Sequence, residues 1–142
     1  MVCTFFGHRT CPQEIESILR SQIINLIEKN SVNKFYVGNQ GEFDFLVHKI
    51  LKELVQTYDI EYAVVLAYMP RKKYEFENQI PNDTLLPEGI ESVHPKFAIS
   101  WRNEWMVKQA NYVVTYVKYS HGGAAKFKKL AEQQKKIVIN LI

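Results

Sequence analysis

Little in this chain points to a secreted, membrane-bound or metal-dependent protein. Only two cysteines, Cys3 and Cys11, occur in 142 residues, too few for the disulfide framework on which small secreted folds depend. No CxxC pair or Cys/His cluster has the spacing of a metal site, so no metal or other cofactor is expected. No apolar run approaches the roughly 20 residues of a membrane-spanning helix, and no membrane partner is expected. The amino-terminal residues enter a strand pattern at once, without a charged leader ahead of a long apolar core. A secretory signal is therefore not expected, and the cytoplasm is the expected location. Charge of one sign is also scarce. The net charge of +3 suits a cleft for an anion but is too small to argue for nucleic-acid binding alone. The clearest basic run, Lys126, Lys128, Lys129, Lys135 and Lys136, reads first as a solvated helix face.

The apolar share, 46% of residues, is enough for a globular core and argues against disorder. The length is that of one domain, residues 1–142, and no repeat or composition shift marks a second. Along the chain, strand and helix patterns alternate. Val2 to Phe6 is a first strand, closed by Gly7. Pro12 suits a first helical turn, and Thr10 with Gln13 has the form of a capping box. Ile15, Ile18, Leu19, Ile23, Leu26 and Ile27 then recur at helical spacing as far as Asn30. Phe35 to Val37 is a second strand. After the Gly38 to Gly41 turn, Phe43, Leu46, Val47, Ile50, Leu51 and Leu54 form a second helical stripe. Tyr62 to Tyr68 lacks alternation, as a strand buried on both faces should.

Residues 69–95 break the rhythm. Pro70, Pro81, Pro87 and Pro95 fall there, and only Leu85 to Ile90 suggests a helical turn. So long an irregular insertion suits a lid, a binding loop or an interface. Phe97 to Ala110 is a helix packing Phe97, Trp101 and Trp105, with Ala98 and Met106 as further candidates. Tyr112 to Val117 is a fourth strand, Gly122-Gly123 opens a helix to about Gln134, and Ile137 to Ile142 is a fifth strand. The fold expected is α/β, a Rossmann-like three-layer sandwich. Its five-stranded, mainly parallel sheet would run in the order 3-2-1-4-5.

In such a sheet ligands bind beyond the carboxyl ends of the strands, where the strand order reverses. Three strand ends there combine glycine with polar groups: Gly7-His8-Arg9, Gly38-Asn39-Gln40-Gly41, and Ser120-His121-Gly122-Gly123. The last pair leaves the backbone bare of Cβ, and the N–H groups of the helix that follows, from Ala124 on, favour an anion such as phosphate. Lys126 would add a charge to that first turn, and Arg9 a bidentate grip, unless it serves a surface ion pair. His8 and His121 are candidate hydrogen-bond partners, although a lone histidine is more often structural; His48 and His94 look like bystanders. Asp44 either complements the dipole of its helix or accepts from a ribose hydroxyl or base edge. Arg102 and Asn103 diverge by about 100° on their helix, which lets Arg102 face the cleft while Trp101, Trp105 and Met106 pack; a solvent-facing pair is the alternative.

These residues resemble a known family. CTFFGHR at the start, GNQGEFD, VVLAY, PEG, FAISWRNEWMV and SHGGAAKF leading to KIVINL, from Cys3 to Leu141, are together similar to the SLOG superfamily. This Rossmann-like group includes the DprA/Smf proteins and the LOG-type phosphoribohydrolases. The likeness is greater to its small stand-alone, YpsA-like members. It implies a nucleotide or nucleotide-derived ligand, cyclic and signalling forms included, at the Gly122-Gly123 turn, and a homo-oligomer. LOG enzymes hydrolyse the N-glycosidic bond of nucleoside monophosphates, and the likeness to them covers Arg102 and the glycine pair. It departs from their PGGxGTxxE motif, with His121 for the proline, Ala125 and Lys126 for Gly-Thr, and Lys129 where the catalytic glutamate would stand. The first expectation is therefore a binding module that senses or sequesters its ligand. The second is an N-glycosidase using Arg102, with Asp44 or Glu42 supplying the carboxylate. The third is a DprA-like binder of single-stranded nucleic acid.

Overall fold

The structure, a computed structural model, describes residues 1–69 and 83–142. Its sheet is built from β1 (Val2–Gly7), β2 (Lys34–Val37), β3 (Glu61–Val65), β4 (Thr84–Leu85), β5 (Tyr112–Tyr116) and β6 (Ile137–Asn140). All strand pairs are parallel, and the spatial order is β4-β3-β2-β1-β5-β6. The expected order is thus present, with one strand more than the five expected. The extra strand, β4, has only two residues, too short for any periodic signal, and it lies in the proline-bearing stretch read as irregular. Its start is held from outside, since His48 Nε2 and the Tyr62 hydroxyl meet Asp83 Oδ2 at 3.0 and 2.8 Å.

Helices cover both faces. On one side lie α1 (Ile15–Lys29) and α2 (Glu42–Leu54). On them Cys3, Phe5, Phe35, Val37 and Val114 pack against Leu19, Ile23, Leu26, Val47, Ile50 and Leu51. On the other side lie α3 (Ala98–Gln109) and α4 (Gly123–Gln133), whose Met106, Val107, Phe127 and Ala131 meet Phe6, Tyr36, Val65 and Val113. Adjacent Phe5 and Phe6 thus serve opposite cores, as the two-residue period of a strand requires.

Several boundaries shift. No capping box forms from Thr10 and Gln13: α1 starts at Ile15, and Glu14 precedes it without a side-chain cap. The third strand ends at Val65, and its first residues are only partly covered. Leu85 to Ile90 is not a helical turn; β4 ends at Leu85, and short 3₁₀ turns follow at Ile90–Ser92 and Pro95–Phe97. The inner face of α3 carries Ala98, Arg102, Met106 and Val107, whereas Phe97 is exposed and both tryptophans are only partly buried. The rest of the expected insertion, residues 70–82, lies outside the described residues.

Candidate functional site

After β1 the chain moves outward through β2 and β3 to β4, then returns to β1's other flank as β5. The carboxyl ends of β1 and β5 are therefore the switch point of the sheet. A cavity of about 360 Å³ opens there, lined by Gly7, His8, Arg9, Gln40, Asp44, Arg102, Asn103, Gly123 and Ala124. Phe5, Phe6, Ile99, Met106 and Phe127 complete its wall. Three turns far apart in sequence thus meet at one hollow.

The floor is polar and tightly organised. Arg102 is 1% exposed, and a buried guanidinium requires partners. Nη1 donates to the Val65 carbonyl at 2.7 Å and to Asn39 Oδ1 at 3.1 Å, and Nε donates to Asn103 Oδ1 at 2.8 Å. Burial lowers its pKa, against the pull of the Asp44 charge; an arginine stays cationic nonetheless. Asp44 accepts from the Gln40 N–H at 2.9 Å. Burial pushes its carboxyl up to about 6, against that hydrogen bond and the Arg102 charge. Gly38 is what lets these groups meet. A Cβ there would lie 2.8 Å from Asp44 Oδ2 and 3.4 Å from Arg102 Cζ.

The wall at β1 is set by a second glycine. Gly41 precedes α2 with φ 93°, and a Cβ on it would come within 2.7 Å of Arg9 Cα. The Glu42 N–H then donates to the Arg9 carbonyl at 2.8 Å. The Arg9 side chain is exposed, with no hydrogen bond or ion pair among the described residues. His8 Nε2 accepts from the Lys118 N–H at 2.8 Å, which ties the β1 and β5 loops together and fixes a neutral ring. Burial, then the Lys118 and His121 charges, lower its pKa.

The rim at α4 is open. Gly122 precedes the helix with φ 96° and no side-chain cap, and nothing stands within 4 Å of a Cβ on either Gly122 or Gly123. Gly123 and Ala124 line the hollow, so the start of α4, with its unsatisfied N–H groups, borders it without a side chain at either glycine.

Not every candidate reaches the cavity. Gly38, Asn39 and Gly41 support it from behind. Glu42 faces away, where its Oε2 accepts from the Cys11 N–H at 2.7 Å. Ser120 and His121 are exposed beside it, Gly122 borders it, and Lys126 Nζ lies 5.3 Å from the Phe127 ring. Lys129 is exposed, and neither His48 nor His94 lines the hollow. Burial raises both thiol pKa values, so neither cysteine is a ready thiolate. Among the described residues no group of three His, Cys, Asp or Glu could hold a metal ion. The apolar wall escaped sequence reading, although Ile99, Arg102, Asn103 and Met106 share the spacing of one helical face.

A parallel sheet with helices on both faces and a polar, glycine-bordered hollow at its switch point defines a Rossmann-like α/β protein. Among solved structures, DNA processing protein A (DprA) from Streptococcus pneumoniae is similar, with TM-score 0.70 and 17% identity over 97% of this chain and 49% of that one. The fold is thus DprA-like, and the chain spans about half the length of that protein. No family model matches the chain, and no curated protein matches it. No helix among the described residues is long and apolar enough to cross a membrane.

Proposed function

We propose that the chain, acting as one domain in the cytoplasm, binds a nucleotide or nucleotide-derived ligand in the cleft at β1 and β5, to sense or sequester it. The observation that carries this reading is the convergence on one cavity of the uncapped α4 amino terminus, the exposed Arg9, which has no ion pair among the described residues, and the Asp44–Arg102 floor. Helix N–H groups and a guanidinium recognise phosphate, and Asp44 and Asn103 offer acceptors for hydroxyl or base N–H groups. The apolar wall suits a sugar or base face. The YpsA-like resemblance of the sequence supports the same ligand class and a homo-oligomer, which light scattering would test. Calorimetric titration with mono-, di- and cyclic nucleotides is expected to give saturable binding, and mass spectrometry of natively purified protein to show a carried nucleotide. No binding at millimolar ligand would sink the proposal.

A second reading is N-glycoside cleavage, and one observation favours it. Asp44 is a buried carboxyl in the cleft with its pKa raised to about 6, in the range suited to acid–base work. Glu42 is the weaker candidate, being engaged with Cys11 outside the cavity. Release of free base from nucleoside monophosphates, lost in Asp44→Asn, would establish this reading; release that survives that change would remove Asp44 from it. A third reading, binding of single-stranded nucleic acid, draws on the basic run from Lys126 to Lys136 and on exposed aromatics. Lys128 pairs there with Glu132 at 3.5 Å, and Lys136 Nζ reaches the Lys108 carbonyl. It predicts affinity that falls steeply with salt.

A further inference from the structure

A second hollow, of about 520 Å³, adjoins the first, and His8 and Arg9 line both. Its other walls are Thr10, Cys11, Pro12, Tyr116, Lys118 and Tyr119. The Tyr119 ring is 57% exposed. It lies 5.2 Å from the His8 ring and 5.6 Å from the His121 ring, the latter stacked. Lys118 Nζ stands 5.7 Å from the Tyr116 ring and, like Arg9, has no acidic partner among the described residues. An aromatic shelf thus lies beside two unneutralised cations, one of which it shares with the first cavity.

We infer that this second hollow is a base-stacking subsite, and that the ligand is a dinucleotide: one unit sits in the β1–β5 cleft, the linking phosphate lies by Arg9 and Lys118, and the second base stacks against Tyr119. The inference rests on the nucleotide reading above. Three features carry it. An exposed tyrosine held by neighbouring rings offers a rigid π-surface, and every base has a face that stacks on one. Arg9 lines both hollows and Lys118 the second, which offers charge to the bridge of a two-unit ligand. His8 and Arg9 line both hollows, which are therefore neighbours that one two-unit ligand would bridge across Arg9. Stacking of one base on an aromatic side chain is typically worth a factor of about five to 150 in affinity.

The test compares adenosine monophosphate, the linear 3′,5′-linked adenosine dinucleotide and an adenosine pentanucleotide by calorimetry, on the unaltered chain and on Tyr119→Ala and Lys118→Ala. The dinucleotide is expected to bind at least about tenfold more tightly than the monophosphate. Tyr119→Ala should erase that advantage and Lys118→Ala reduce it, with monophosphate affinity unchanged in both. The pentanucleotide should gain nothing further. Equal affinity for mono- and dinucleotide would overturn the subsite and leave the nucleotide reading standing. So would a dinucleotide advantage that survives Tyr119→Ala. Affinity that keeps rising with strand length would replace a two-unit site by a strand track. Binding of none of the three would remove both the subsite and the reading beneath it.

Discussion

The floor of the cleft, around Gly38, Asp44 and Arg102, and its rim, from Tyr119 to Ala124, share one end of the sheet but are packed in opposite ways. At the floor no buried side-chain polar atom of the described residues lacks a partner. Arg102 holds three oxygens, Asp44 holds the Gln40 N–H, and a Cβ on Gly38 would strike the Asp44 carboxylate and touch Arg102. At the rim the helix start is uncapped, the glycines have empty space above them, and Tyr119 is exposed. The contrast separates two uses of polar chemistry. Buried groups at the floor must satisfy one another before any ligand arrives. Groups at the rim face water and can exchange it for a ligand at little structural cost. Changes at the floor should therefore act first on stability, and changes at the rim first on binding.

The largest effect is expected at Arg102. Arg102→Ala would strand the buried Val65 carbonyl, remove the partner of Asn39 and Asn103, and leave Asp44 without its nearby cation. Breaking such a buried arrangement from one side costs about 3–5 kcal/mol, readable as a lowered urea midpoint. A loss below about 1 kcal/mol would mean that the floor is wetter and looser than its geometry implies. Next comes Gly7→Ala. A Cβ there would overlap the Phe43 ring, whose own Cβ lies 2.8 Å away, and Phe43 is wholly buried. Overpacking of this kind costs about 3 kcal/mol; a variant as stable as the parent would show that β1 and α2 can move apart.

How far the sequence reveals each region follows from the same contrast. The order of elements and the three glycine-bearing turns are legible, because they rest on long periodic stripes such as Phe43 to Leu54 and on glycines at strand ends; the strand order follows only from the fold class those elements imply. The floor is only half legible. Arg102 is read there as one of two alternatives, since nothing in a helix pattern says that an arginine is buried while its neighbours Trp101 and Trp105 stay partly exposed. That outcome is decided by acceptors 37 and 63 residues away in sequence. β4 is illegible because two residues have no period. The Thr10–Gln13 cap fails because the helix begins only at Ile15, beyond both residues of the expected box. The aromatic shelf at Tyr119 depends on His8, far away in sequence but at the end of the neighbouring strand β1, so its parts look unrelated along the chain.

A third expectation concerns pH at the floor. The Asp44 carboxyl titrates at about 6 in the folded protein against 3.8 for the free group. Between those values the native state binds more protons than the unfolded chain, so native stability falls as pH rises through this window. One pKa unit corresponds to about 1.4 kcal/mol, giving an amplitude on the order of 2–3 kcal/mol. His8 acts in the opposite sense. Its pKa is lowered from 6.5, so it adds stability as pH rises. Comparing the unaltered chain with Asp44→Asn cancels the histidine, which both carry, and isolates the carboxyl. The stability difference between the two should shift in favour of Asp44→Asn as pH rises from 3.8 to about 6. A flat difference would place Asp44 in contact with solvent.

The smallest effect on stability, and the sharpest contrast with Gly7, is expected at Gly123. Its φ lies outside the left-handed region, and nothing lies within 4 Å of an added Cβ. Alanine is also the better helix former there. Gly123→Ala should therefore leave the urea midpoint within about 0.5 kcal/mol of the parent. The new methyl group would stand over the α4 N–H groups that line the cavity, so nucleotide affinity should fall by about tenfold, or about 1.4 kcal/mol. Gly122 provides the control on the other side of the turn. Its φ of 96° strains any L-residue even in empty space, so Gly122→Ala should lose about 1–2 kcal/mol of stability. If Gly123→Ala proved as unstable as Gly7→Ala, the rim would be packed after all, and the division between a self-satisfied floor and an open anion site would fail.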